Sequence, residues 1–197
     1  MWRDIFRGDG MSTIDITIVA DPVAIIRDNP VTSPSTPVAL KNNGKGYVFG
    51  VTNWNDVNFG TYSPYYTYND GQDNNEGGFA LDIKAEIGDT IRWRMVSLTG
   101  GFEYQCFIQS FKFTSGVAVI SSLGHKTETV SCAVQGADGT VTAQQIQDYY
   151  WETTVAAKGS AGYNILISIF DSQANHIGIF TSDPYIEVPG QSRYALG

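Results

Sequence analysis

Charge is what this sequence has least of. Only 16% of its 197 residues are charged, against roughly 25% in an average soluble protein. Lys and Arg number 12 against 20 Asp and Glu, for a formal net charge of -8. Nucleic acids demand a basic stripe that this balance withholds, and anionic bilayers repel the same surface. Neither nucleic acid nor membrane insertion belongs among the expected partners. Long apolar runs are absent too: nothing approaches the ~18 consecutive residues of a membrane span, and the N-terminus lacks the apolar core of an export signal. The expected location is cytoplasmic.

Histidine and cysteine number 2 each. Cys106 and Cys132 sit in apolar stretches without a neighbouring Cys or His, which excludes CxxC redox and zinc-ribbon spacings, and blue copper with them. Both read as buried free thiols, with a Cys106–Cys132 disulfide as the alternative should their strands pair. His125, in the turn-like run 123–126, and His176, at the start of a strand, read as exposed or edge residues. No nucleophile elbow, zinc-protease helix, Walker loop or dinucleotide fingerprint occurs. The expectation is therefore no enzyme and no catalytic residue; a hydrolase would need two carboxylates to meet in space.

What the chain does have is period two. Ile14, Ile16 and Ile18 alternate with Asp15 and Thr17; Phe79, Leu81, Ile83 and Ala85 alternate with Ala80, Asp82, Lys84 and Glu86; Ile91, Trp93 and Met95 alternate with Thr90, Arg92 and Arg94. Such alternation marks half-buried antiparallel strands. Gly88 and Asp89 between the last two runs supply a tight turn, so residues 79–96 read as a hairpin. Further strands are expected at 47–54, 104–113, 117–120, 127–134, 149–157, 162–170, 176–181 and 185–188, with a turn over 171–175. Near residue 107 the period breaks: Tyr104, Cys106 and Ile108 form one row, Phe107, Phe111 and Phe113 the other. Either a strand buried on both faces or a bulge follows.

Helix signals are few. Asp21 caps a short helix with Pro22 at its first position, stopped by Asn29 and Pro30; residues 143–147 are compatible with a second. The fold class expected is all-β: a two-layer antiparallel β-sandwich, Greek-key or jelly-roll-like, with one short helix near the N-terminus. A closed barrel is the alternative. Residues 27–46, with Pro30, Pro34 and Pro37, read as a connector crossing between the sheets. Residues 1–10 show no period, while Met11, Ser12 and Thr13 lead into clean alternation. Met11 rather than Met1 is the expected native start, with one domain over 11–190 and a tail at 191–197.

Residues 53–78 have a character of their own. Trp54, Tyr62, Tyr65, Tyr66 and Tyr68 are interspersed with Asn and Asp, the composition of a sugar-binding surface in which ring faces stack on C–H groups. Asp70, Asp73, Asn74, Asn75 and Glu76 follow, hard oxygen donors suited to calcium, though without the EF-hand spacing. The competing readings are rings packed over one open end of the sandwich, or a contact with another copy.

The run Gly-Asp-Thr-Ile-Arg-Trp-Arg (88–94), followed by Ser97 and Leu98, resembles the AidA/PixA family of bacterial inclusion body proteins. Asp183-Pro184-Tyr185-Ile186 near the end resembles it as well. Residues 14–21 are similar to the family's opening strand, Asn29-Pro30 to its Asn-Pro after a short helix, and 158 onward to its penultimate hairpin, so the resemblance spans about residues 11 to 188. It implies intracellular, sometimes crystalline inclusions in PixA-like members, and quorum-sensing regulation and host association in AidA-like ones. It carries over no catalytic residue. PixA-type proteins are methionine-rich, whereas this chain has 3 Met, so a methionine store is not expected. The residues also have a physical reading: Trp93 should face the core, Arg92 and Arg94 point outward toward Asp82, Glu86 or Glu152, and Asp183-Pro184 turn the chain so that Tyr185 closes one end. The function expected first is self-assembly or host-associated binding by a homo-oligomer without cofactor. Second comes a glycan-binding module with calcium, and third an undetected hydrolase.

Overall fold

A computed structural model describes residues 11–53, 56–57, 81, 83, 85–99, 103–121, 123–182 and 185–188. The period-two runs become strands in two packed sheets. The elements are β1 (Thr13–Ala20), α1 (Pro22–Asp28), β2 (Val38–Ala39), β3 (Val48–Val51), β4 (Thr90–Ser97), β5 (Tyr104–Phe113), β6 (Gly124–Gln135), β7 (Val141–Thr154), β8 (Gly159–Asp171), β9 (His176–Ser182) and β10 (Tyr185–Val188). The first sheet runs β3-β1-β4-β7-β6; the second runs β10-β8-β9-β2, with β5 also paired along β8. This is the expected all-β, two-layer arrangement with one short helix. No described helix is long and apolar enough to cross a membrane.

The core forms where the inner rows meet. Ile14, Ile16 and Ile18 of β1 and Ile91 and Trp93 of β4 are buried against Ile165, Ile167 and Ile169 of β8 and Phe180 of β9. Trp93 is the largest fully buried side chain. Its ring meets Phe111 at 5.2 Å and Tyr163 at 6.1 Å, tilted and edge-on, so β4 of one sheet interlocks with β5 and β8 of the other. Such offset contacts suit the ring quadrupoles better than a face-to-face stack.

The break near residue 107 is a bulge. The β5–β8 register shifts between Ile108 and Ser110, which puts Cys106 and Ile108 before it and Phe111 and Phe113 after it on one inner face. Phe107 is left outside, 46% exposed, edge-on to Phe170 at 5.9 Å. The helix forms as its caps dictate: the Asp21 carboxylate accepts from the Ala24 N–H at 3.0 Å. Buried Asn29 then donates to the Ile25 carbonyl and accepts from the Lys41 N–H at 2.9 Å. The 27–46 connector crosses to the second sheet, where β2 pairs with β9, and returns to the first as β3.

Several expectations need correction. β1 and β4 pair in parallel, Thr13 opposite Thr90 through Ala20 opposite Ser97, and β2 pairs parallel to β9. Alternation defines a buried face but not a strand's direction. The 79–96 hairpin does not form among the described residues. Ile83 bridges Val57 instead, and the turn at Gly88 (φ 98) docks on the end of β7, its N–H donating to the Val155 carbonyl at 2.9 Å. Residues 117–120 hold a 3-10 turn at Val117–Val119 rather than a strand, entered through left-handed Gly116. Residues 143–147 are not helical but lie in β7, Gln144 opposite Cys132; five residues are too few to nucleate a helix against a ready ladder. His125 lies in β6 rather than in a turn. Both cysteines are free; Cys106 is buried as expected, but Cys132 is partly exposed on β6.

Candidate functional site

The residues that mark the sequence, 88–94, join three strands. Asp89 is 92% removed from solvent by its 8% exposure, and its carboxylate accepts from the Ser12 N–H, the Ser12 hydroxyl and the Glu86 N–H, each at 2.9 Å. One side chain thus closes the turn before β4 and fixes the start of β1. In sequence Gly88-Asp89 reads only as a turn; an Asp directly after a left-handed glycine and before a strand is the signal for a carboxylate folding back on a local N–H, here that of Glu86.

Beyond the turn, Trp93 points inward and Arg92 and Arg94 outward, as expected. Arg92 pairs with Glu152 at 2.8 Å, one of the three anticipated partners. Arg94 takes others: a forked contact to Asp148 at 2.7 and 3.1 Å, and Asp15 on β1. Between them stands the Tyr150 ring, 4.9 Å from the Arg92 guanidinium carbon and 4.8 Å from that of Arg94, its hydroxyl donating to Glu128 at 3.2 Å. The result is a lattice of charge and aromatic ring across β1, β4, β7 and β6. Hydrogen bonding from Arg94 holds the Asp148 carboxyl below its ordinary range, and hydrogen bonding to Glu152 raises Arg92. Groups fixed in their charged forms are poor proton carriers near neutrality; this face is built to hold strands together.

A test follows from that geometry. Asp148→Asn should cost about 1–2 kcal/mol at pH 7, since Arg94 loses a partly buried, forked acceptor. The folded-state carboxyl titrates below its ordinary value of 3.8, so its contribution is complete above that value and disappears as pH falls through the folded one. Urea titrations should show a gap between wild type and variant at pH 7 that narrows below pH 3.8.

Next to this lattice, β4 and β7 part company. Their pairing ends at Trp93 opposite Trp151, and the gap between β4, β5 and β7 is a cleft of about 250 Å³ lined by Met95, Cys106, Phe107, Ile108, Tyr149 and Trp151, with Arg94 and Asp148 on its lip. The Trp151 indole N–H is engaged by the Ile108 carbonyl at 3.1 Å. Burial pushes the Cys106 thiol up to about 12, so the cleft holds an inert thiol and not a nucleophile. His125 packs against Tyr149 and Trp151. Among the described residues, no group of three His, Cys, Asp or Glu is placed to hold a metal ion.

Past the cleft, β6 and β7 continue as a ribbon with no third strand beside them among the described residues. They pair from Gly124 opposite Glu152 to Gln135 opposite Val141, whereas β4 accompanies β7 only from Thr154 to Trp151. Residues 129–147 contain one charged side chain, Asp138 in the turn. Val130, Cys132 and Val134 are half-buried along one face, and Ile146 beside them is 44% exposed.

The sugar and calcium candidates, Trp54, Tyr62, Tyr65, Tyr66, Tyr68, Asp70, Asp73, Asn74 and Glu76, lie outside the described residues, as does Asp183. Tyr185 opens β10, opposite Gly162.

No curated protein sequence matches this chain. Among solved structures, the inclusion body protein of Burkholderia cenocepacia J2315 aligns over 94% of this chain and 99% of its own at 16% identity, with a TM-score of 0.65, which establishes the likeness of fold. The solution structure of amebosin aligns over 55% of this chain and 88% of its own at 14% identity, with a TM-score of 0.24, too low for a shared fold. A family model described as PixA, inclusion body protein, matches residues 12–188. That span takes in β1, the Asp89 turn, the arginine lattice and the ribbon through to β10, and the chain belongs to the PixA family of inclusion body proteins.

Proposed function

We propose that this protein works by associating with copies of itself, as an assembling inclusion-type protein and not by turning over a substrate. The observation that supports this most is the β6–β7 ribbon. A two-stranded hairpin is marginal alone in water, and one whose strands leave edges unpaired is a template for another chain. Natural edges are usually blunted by Lys, Pro or inward charge; residues 129–147 have none of these. The family's description as inclusion body protein points the same way.

Long-range charge opposes the association and sets its pH dependence. With a net charge of -8 at pH 7 and a pI near 4.6, copies repel one another at neutrality and low salt, and the repulsion fades toward the pI. The Asp28 and Asp148 carboxylates, held below their ordinary value of 3.8 by hydrogen bonding from Arg27 and Arg94, keep their charge over that approach. Sedimentation velocity at rising concentration should therefore show oligomers that grow between pH 8 and pH 5, and at pH 8 when salt is added. A species that stays monomeric across both series would overturn the reading.

A further inference from the structure

Building on the self-assembly reading, we propose that two copies of this protein join edge to edge through β6, in an antiparallel pairing centred on Cys132 of each copy. The hydrogen-bond phase of the ribbon makes that edge available. At its tip the Gly139 N–H donates to the Gly136 carbonyl at 3.0 Å and the Gly136 N–H to the Thr140 carbonyl at 2.8 Å, so Gly136 and Thr140 are a hydrogen-bonded pair. The β6–β7 register runs back from there without a shift, and bonded and non-bonded pairs alternate along an antiparallel ladder. Even-numbered residues of β6 thus bond to β7. Thr129, Ser131, Ala133 and Gln135 turn their N–H and C=O groups outward, are exposed, and face no described strand, since β6 ends its sheet.

Register then follows from side-chain matching. A two-fold axis through Cys132 sets Val130 of each copy opposite Val134 of the other, Ser131 opposite Ala133 and Thr129 opposite Gln135. About eight backbone hydrogen bonds link the copies, and the valines of both copies, flanked by Ile146, make one continuous apolar row. Charge agrees: Glu128 falls opposite Gly136, and Lys126 comes toward the turn that bears Asp138 of the other copy. Centring on Ser131 would instead set Glu128 against Val134, and centring on Ala133 would waste Val130 on Gly136. The edge along β7, centred on Gln144, would oppose Ile146 with Thr142. A second copy is the fitting occupant because the strand is complementary to itself, and because a chain of net charge -8 approaches its like most easily along a segment without charge.

Cys132 at the axis provides the readout. It is a non-hydrogen-bonded residue on the outer edge, so the two copies' Cα atoms stand about 4.5 Å apart, within disulfide range. Diamide, which takes up the two thiol hydrogens as the Sγ–Sγ bond forms, should give a covalent dimer of about twice the 21.5 kDa chain on non-reducing gels. The dimer should vanish in Cys132→Ser and persist in Cys106→Ser, whose removed thiol is buried. Ala133→Pro deletes an outward N–H and no β6–β7 bond, so the circular dichroism spectrum should be unchanged while association weakens at least tenfold and the cross-link is lost. Ala143→Pro, on the far edge of β7, should leave both intact. Association that survives Ala133→Pro, or that proceeds without the Cys132 cross-link, overturns β6 pairing and leaves self-assembly standing. A wild-type protein that stays monomeric at millimolar concentration overturns both.

Discussion

Trp93→Ala is expected to lower stability by about 3–5 kcal/mol, the range for deleting a large buried ring from a packed core. Trp93 is 0% exposed and touches rings from both strands that face it, Phe111 and Tyr163, so the sheets cannot close over the void without losing those contacts too. Against a typical total of ~5–15 kcal/mol, that leaves a protein close to its unfolding threshold. The Trp93 indole N–H has no hydrogen-bond partner among the described residues, and its burial is a cost that the ring must offset. Trp93→Phe should therefore be mild, below about 1.5 kcal/mol, because it gives up volume but also the stranded donor. Urea denaturation of the three proteins separates the two roles: a Phe variant as damaged as the Ala variant would mean that the N–H is satisfied.

Asp89→Ala should cost about 2–3 kcal/mol, because a hydrogen bond to a charged acceptor contributes ~1.5–3 kcal/mol and the three here share one carboxylate. The Ser12 and Glu86 N–H groups would be left without their acceptor, and the start of β1 would lose its attachment to the turn. Asp89→Asn distinguishes geometry from charge. Its remaining oxygen can still take both Ser12 donors, while the amide that replaces Oδ2 would face the Glu86 N–H. We expect the Asn variant to lose about half as much as the Ala variant, with faster amide exchange at Glu86 but not at Ser12. Equal losses in both would show that charge, and not the hydrogen-bond geometry, is what the site needs.

Those two residues also show how far a sequence can be read. The inward face of β4 was legible because Ile91, Trp93 and Met95 alternate with arginines, and Arg92 found Glu152 because cross-strand neighbours share a face. Arg94 was not assigned Asp148 or Asp15, since both contacts depend on which strands flank β4, and β1 arrives in parallel from a distant part of the chain. The bulge at Gln109 was legible as a break in period, but not as the device that brings Phe111 and Phe113 to the core. Half of the ribbon was legible, since 127–134 reads as a strand and lies in β6, but the first half of β7 was not. Gln144, Gln145 and Gln147 have no apolar period to reveal a strand, and only pairing with β6 makes them one.

The parallel pairing of β1 with β4 sets a schedule for synthesis. Ser12 and Asp89 are 77 residues apart in sequence, and at roughly 5–20 residues per second a ribosome takes about 4–15 seconds to cross that distance. For that interval the isoleucine row of β1 emerges with its central neighbour still untranslated, and β8, which covers the row in the finished fold, comes later still. Contacts this remote also make for slow closure. A nascent chain in this state exposes a sticky apolar strand that the mature protein hides, so chains that associate before folding is complete would be held together by a different surface from folded molecules that associate.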